Sequence, residues 1–271
     1  MVRCPRCGFA WIPEGVPHTA RGLSIYEDEE LNLFGPDDDY YRDPTADEAA
    51  QAKLAWVTRF TPGGRLLDVG ANVGTFVHYA RDRFEAIGIE PNAATVAWAK
   101  EHTGAAVELG SIFTEVPEYV GRFDAITLFD VIEHVADPAA ALRQCRRYLA
   151  PGGRLFVTTP DMGSAGARLL GSHWYYIDVE QHISMFSTAN LTRLLSAHGF
   201  RAIDRRTFGR RYRFSYIERR LKDLSRESVL LRAAHTLALP LRLAGERQVA
   251  LNLGDVVGLV ADITPVESTL R

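Results

Sequence analysis

The segment Leu66-Leu67-Asp68-Val69-Gly70-Ala71-Asn72-Val73-Gly74-Thr75-Phe76 decides the reading of the whole chain. It begins as a short apolar run with one carboxylate, the pattern of a buried strand over Arg65–Val69. The glycine loop Gly70–Gly74 follows, and then a helical pattern over about Thr75–Arg83. Glycines between a strand and a helix let the backbone turn tightly and let a ligand approach the main chain. A dinucleotide fingerprint would place glycine at the first, third and sixth loop positions. Those positions hold Gly70, Asn72 and Thr75, so the spacing disfavours a pyrophosphate cofactor and leaves a nucleoside-type one.

Outward from this loop, short β-like runs alternate with helical patterns. A helix is expected from about Thr45 to Phe60, with Ala49, Ala52, Trp56, Val57 and Phe60 on one face. Ala86–Ile89 is a second strand, closed by Glu90-Pro91, with Asn92 placed to cap the next helix. Ala105–Leu109 and Phe123–Phe129 are the third and fourth. Asp137-Pro138 opens a helix with an N-cap and a proline at the first position, and Pro151-Gly152-Gly153 stops it. Arg154–Thr159 is strand five, Ala189–Ala197 a helix ended by His198-Gly199, and Arg201–Thr207 and Val256–Ile263 are strands six and seven. This order predicts an α/β fold with a seven-stranded, mostly parallel, doubly wound (Rossmann-like) sheet. Residues 1–43 read as an irregular N-terminal arm, 44–212 as the core, 213–252 as a C-terminal helical insertion, and 253–271 as the last core strand and tail. Glu90 stands 22 residues after Asp68 at the end of the second strand, where a carboxylate can accept both ribose hydroxyls.

Composition bounds the alternatives. The 271 residues are 46% hydrophobic and 24% charged, with a net charge of −3, which suits one large folded domain and excludes wholesale disorder. That balance argues against a dedicated nucleic-acid coat. No apolar run approaches the roughly 18 residues of a membrane span, and the N-terminus lacks the apolar core of a signal peptide. Three cysteines make no disulfide framework, so a cytoplasmic setting is expected.

Four segments together carry a resemblance. They are Leu67–Phe76, Gly88-Ile89-Glu90-Pro91-Asn92, Phe123-Asp124-Ala125-Ile126 running on to Asp130-Val131-Ile132-Glu133-His134-Val135, and Leu149-Ala150-Pro151-Gly152-Gly153-Arg154. In this order they resemble class I S-adenosylmethionine-dependent methyltransferases, over roughly residues 45–208 plus the last strand. The departure is Asn72 at the central glycine of the first motif, and asparagine tolerates a left-handed backbone better than other non-glycine residues. The resemblance implies S-adenosyl-L-methionine as cofactor. Asp68, Gly70, Ala71, Asn72 and Gly74 would hold its methionine end, Glu90 and Pro91 its ribose side, and Ser111 and Ile112 its adenine. Phe129 and Asp130 would line the pocket by the sulfonium.

Methyl transfer to a hydroxyl needs the acceptor held about 3–3.5 Å from the methyl and its proton removed by a base of near-neutral pKa. Histidine suits that task. His134 follows strand four, and His182 lies in the aromatic loop Trp174-Tyr175-Tyr176 to Phe186, which reads as a substrate lid. His182 is the expected base. Asp130, Glu133, His134 and His182 also resemble the Glu-x-x-Glu-His plus distant His that holds a divalent metal in small-RNA 2′-O-methyltransferases and, in part, in quinone-ring O-methyltransferases.

The expected acceptor is a small molecule methylated at oxygen. A sugar or sugar-nucleotide acceptor, an RNA 2′-hydroxyl, and a non-catalytic cofactor-binding partner are the alternatives. Cys4-Pro5-Arg6-Cys7-Gly8 has the spacing of a zinc knuckle but is half of a four-ligand site. Residues 27–48 hold ten acidic side chains and one basic, and residues 201–222 nine basic and two acidic. Arg205, Arg206, Arg210, Arg211 and Arg213 either form a solvated face or receive a phosphorylated acceptor. The apolar spacing of Val229, Leu230, Leu231, Ala234, Leu237 and Leu241 suits core packing, a homodimer contact or a hydrophobic acceptor.

Overall fold

The computed structural model describes residues 1–13, 44–171, 174, 176, 177, 182–214, 222, 236 and 247–264. The elements in chain order are β1 (Val2–Arg3), β2 (Ala10–Trp11), α1 (Pro44–Phe60), β3 (Gly64–Val69), α2 (Thr75–Ala80), β4 (Phe84–Glu90), α3 (Ala93–His102) and β5 (Val107–Leu109). Then come β6 (Phe123–Phe129), α4 (Pro138–Tyr148), β7 (Leu149–Pro160), α5 (Ala165–Leu170), β8 (Ser184–Met185), α6 (Thr188–Ala197), β9 (Phe200–Arg213) and β10 (Gln248–Ile263).

Seven strands make the main sheet in the order β5-β4-β3-β6-β7-β10-β9. The pairs from β5 to β7 are parallel, and β10 runs antiparallel to both β7 and β9. The strand order therefore reverses between β3 and β6, the place where open α/β sheets bind ligands at the C-terminal ends of their strands. Local signals act as the sequence suggests. Asn92 Oδ1 accepts the N–H of Thr95 at 2.9 Å, and Asp137 Oδ1 accepts that of Ala140 at 2.9 Å. Gly199 takes the positive φ of a helix-ending residue, 78°.

The core lies on both faces of the sheet. On one face α1 and α2 bury Trp56, Val57, Phe76 and Ala80 against Leu66, Ala125, Phe156 and Val260. On the other, α4 and α6 bury Leu142, Cys145, Leu191 and Leu195 against Leu67, Ile126, Leu155 and Val257. The expected inward face of α1 is half right. Trp56 and Val57 are buried, but Ala49 and Ala52 are exposed and Ala50 is buried in their place, because the helix turns its Ala50–Leu54–Val57 side to the sheet.

Several boundaries also differ, among them the end of β9, which runs on to Arg213 rather than stopping at Thr207. α2 ends at Ala80 rather than Arg83, and β5 begins at Val107 rather than Ala105. β7 starts at Leu149, since the Pro151-Gly152-Gly153 turn sits inside the strand as an irregularity, with Gly152 at φ 81°. β9 and β10 form one long antiparallel ribbon, so the last strand reaches back to Gln248 instead of starting at Val256. The expected helical insertion over 213–252 is strand at both ends, Arg213 belonging to β9 and 248–252 to β10, and most of the rest lies outside the described residues, as does most of the acidic arm.

The first thirteen residues are not irregular. β1 and β2 form a hairpin, and β2 pairs antiparallel with β8 to make a second, three-stranded sheet. The Cys4–Gly8 turn closes the hairpin through Gly8 N–H to Cys4 O and Cys4 N–H to Phe9 O, both at 2.8 Å. Hydrogen bonds from Cys7 and Arg6 backbone amides hold the Cys4 thiol below its ordinary pKa. Among the described residues, no helix is long and apolar enough to cross a membrane.

Candidate active site

The glycine loop turns sharply under β3. Gly70 and Gly74 have φ of 71° and 75°, and Asn72 has φ 49°. Asparagine succeeds there because its Oδ1 accepts the N–H of Val73 at 2.7 Å, a local bond that glycine cannot make. At Gly70 a Cβ would stand 2.6 Å from Val131 Cγ2, so the loop after β6 rests directly on this turn. Ala71 is buried against Val77, Val96 and Val107, which leaves only its main chain to face a ligand.

Glu90 ends β4 with its carboxylate buried. Its Oε2 accepts the N–H of Asn72 at 3.0 Å and its Oε1 the N–H of Asn92 at 3.1 Å. Burial raises its pKa, and the two amide bonds oppose that shift. The Gly110 N–H donates to the Glu90 backbone carbonyl at 3.0 Å, which brings Ser111 to the end of β4. Ser111 borders a cleft with Ile89, Leu109 and Gly110. Ile112, next to it, is buried against the core.

Asp68 lies beneath the loop. It is buried and accepts the Thr127 hydroxyl at 2.5 Å, and burial pushes its pKa up to about 7. Lys53, which the sequence reading did not single out, projects from α1 to the end of β6. Its Nζ is 3.0 Å from Asp130 Oδ2 and 4.8 Å from the Phe129 ring centre. Phe129 packs edge-on to Phe76. Asp130 has a left-handed backbone, φ 59°, and its Oδ1 accepts the Thr158 hydroxyl at 3.0 Å. A lysine one turn before a buried tryptophan on a helix was the available signal for Lys53, but periodicity does not say which strand end it meets.

The loop after β6 then carries the histidines. Glu133, His134 and His182 bring ligand-capable atoms within 4.8 Å of one another, and the two imidazole centres are 4.7 Å apart. His182 Nδ1 lies 2.7 Å from Tyr176 O. A carbonyl only accepts, so Nδ1 carries the hydrogen and Nε2 is the basic nitrogen. Glu133 is fully buried and its Oε2 has no hydrogen-bond partner among the described residues. Burial, with Asp130 nearby, pushes its pKa up to about 7, while His182 draws it down. Asp130 stands apart from this group, held by Lys53 and Thr158.

Two rings of the aromatic loop, read from the sequence as a substrate lid, face the protein interior. Trp174 and Tyr176 are buried with Ala10, Ala167, Met185 and Val256, so their rings anchor the loop and Tyr176 offers its carbonyl to His182. The N-terminal hairpin clamps the outgoing side. Ile12 N–H donates to Ile183 O at 3.0 Å, and the Phe9 ring packs 5.2 Å from that of Phe186. Of the arginines on β9, Arg205 lies 3.9 Å from Asp161, and Arg206 stacks over Phe208 at 4.7 Å.

The parallel sheet, the glycine turn and the acidic strand ends define a class I S-adenosylmethionine-dependent methyltransferase. A family described as "Methyltransferase domain" matches residues 41–204, and the chain belongs to that family. The ubiquinone biosynthesis O-methyltransferase of Pseudomonas aeruginosa PAO1 is 35% identical over 103 residues, which is 36% of this chain and 44% of that protein. An uncharacterized 37.1 kDa protein of a Streptomyces fradiae transposon is 36% identical over 141 residues, 48% of this chain and 41% of that one. The chain thus spans less than half the length of these curated relatives. Among solved structures, a S-adenosylmethionine-dependent methyltransferase of Thermotoga maritima superposes with a TM-score of 0.56 at 21% identity, covering 83% of this chain and 95% of that one. The geranyl diphosphate C-methyltransferase of Streptomyces coelicolor gives 0.54 at 14%, covering 93% and 100%. These likenesses show the fold alone.

Proposed function

We propose that this chain transfers a methyl group from S-adenosylmethionine to an oxygen of a small-molecule acceptor, with His182 as the base. The observation that carries the proposal is the orientation of His182. Its Nδ1–H is fixed on Tyr176 O, which aims a basic Nε2 into the group formed with His134 and Glu133. That group stands one turn from Asp130 and rests, through Val131, on the glycine loop.

The residues present fit the cofactor. Each Glu90 oxygen already accepts one amide and keeps a second acceptor site, so the pair can take two ribose hydroxyls without releasing the loop. The turn at Gly70, Asn72 and Gly74 would offer its main chain to the methionine end. When bound, S-adenosylmethionine supplies an electrophilic methyl on a sulfonium. Phe129, at the end of β6, packs on the buried Phe76 and Trp56 rings. His182 Nε2 removes the acceptor's hydroxyl proton and holds it as imidazolium, with the Glu133 carboxyl in the same group. The relatives named as ubiquinone biosynthesis O-methyltransferases support an oxygen acceptor.

A second reading has one observation in its favour. Glu133, His134 and His182 form a three-ligand set for a divalent cation, in which His182 would be a ligand and the cation would lower the acceptor's pKa. Transfer of labelled methyl into fractionated cell extract, with and without EDTA and with Glu90→Ala as control, separates the two. Label in small molecules that survives EDTA and is lost in Glu90→Ala supports the His base. Loss in EDTA, restored by added metal, transfers the role to the cation, and label in RNA overturns the acceptor class.

A further inference from the structure

Segment 201–247 carries thirteen basic and five acidic side chains, a net of +8 in a chain whose total is −3. The fold says where the two ends of this segment lie. Val256 of β10 stands opposite Pro160, the last residue of β7. Beyond that point β9 and β10 remain paired, from Arg210↔Leu251 to Arg213↔Gln248. β9 is parallel to β7, so the ribbon continues past the C-terminal ends of the parallel strands, the edge that carries the glycine loop and His134. Four residue pairs at about 3.3 Å each extend it by roughly 13 Å.

The charge on this ribbon is graded. The inner arginines have carboxylates at hand, with Arg201 3.7 Å from Asp262 and Arg205 3.9 Å from Asp161. The outer stretch, 208–213 and 247–254, holds Arg210, Arg211, Arg213 and an exposed Arg247, and its sequence contains no acidic residue. Large apolar side chains are exposed next to it. Leu253 on β10 is 53% exposed, and Leu169 at the end of α5 is 80% exposed. α5 rests on the ribbon base, where a Cβ at Gly166 would stand 2.5 Å from Asp255 Oδ1.

We propose that this edge docks on an anionic lipid bilayer, which sets the mouth of the site against the membrane surface. Arginines match lipid phosphates and draw the protein to a negative surface, while exposed leucines beside them insert at the headgroup boundary. Nucleic-acid phosphates would satisfy the arginines but offer nothing to Leu169 and Leu253. The docking is independent of which atom accepts the methyl. The test is flotation of the full chain with phosphatidylcholine vesicles, with and without phosphatidylglycerol, at low and high salt. The wild type floats with the anionic vesicles and is released by salt. Arg210→Glu/Arg211→Glu/Arg213→Glu lowers partitioning at least about tenfold. Leu169→Asp/Leu253→Asp also weakens it. Both variants keep S-adenosylhomocysteine affinity, which confirms that they fold. Equal flotation with neutral vesicles, no flotation, undiminished binding by the arginine variant, or tighter retention by RNA than by anionic vesicles overturns the proposal.

Discussion

Asp68 is the residue whose environment departs furthest from what its sequence position suggests. A carboxylate at the end of a glycine-motif strand reads as a ligand to the cofactor, yet here it is buried under the loop and bonded to Thr127. Its pKa is raised to about 7, so the folded state binds a proton that the unfolded state releases near 3.8. The sign follows. This group favours the fold below pH 3.8, and the contribution is lost as pH rises towards 7 and the buried carboxylate ionises. Asp68→Asn keeps an acceptor for Thr127 and removes the titration. The stability difference between variant and wild type, from urea unfolding, should shift in the variant's favour as pH rises from 4.5 to 7.5, on the order of a few kcal/mol. A pH-independent difference would mean that Asp68 is ionised throughout. Asn72, by contrast, was legible from the sequence. Its tolerance of a left-handed backbone anticipates φ 49°, and only the Asx bond to Val73 N–H needed coordinates.

At the scale of elements, the strands and helices of the core were legible because each is marked locally. Glycine and proline bound them, Asn92 and Asp137 cap them, and buried parallel strands read as apolar runs. Partners distant in sequence were not legible. Lys53 meets Asp130 across 77 residues, and β2 meets β8 across more than 170. Two-residue strands have no periodicity to detect, so the N-terminal hairpin was read as irregular. Its contact with the His182 segment gives it a role in positioning the base. Ile12→Pro removes the N–H that donates to Ile183 O next to His182. The expected result is a several-fold fall in kcat with S-adenosylhomocysteine affinity unchanged within about twofold, since the proposed cofactor residues follow β3 and β4. Equal loss of both would show that the hairpin supports the fold as a whole rather than the base.

At the scale of the molecule, the chain joins two halves of opposite character. The β5-to-β7 half carries the glycine turn and Glu90, and its parallel strands alternating with helices were anticipated from the sequence. The β8-to-β10 half, with the hairpin docked on it, supplies His182 and the basic ribbon. Its form was less legible because long antiparallel pairing, unlike a βαβ unit, leaves no crossover signature in the sequence. The central claim joins the halves, with cofactor on one side and base on the other. The most direct measurement is a paired assay of His182→Ala, with S-adenosylhomocysteine affinity by calorimetry and labelled-methyl turnover on the same preparation. The account predicts unchanged affinity and a fall in turnover of about a hundredfold or more, the ordinary contribution of a general base. Wild-type turnover in the variant would contradict it, and so would a wild-type protein that binds neither S-adenosylmethionine nor S-adenosylhomocysteine.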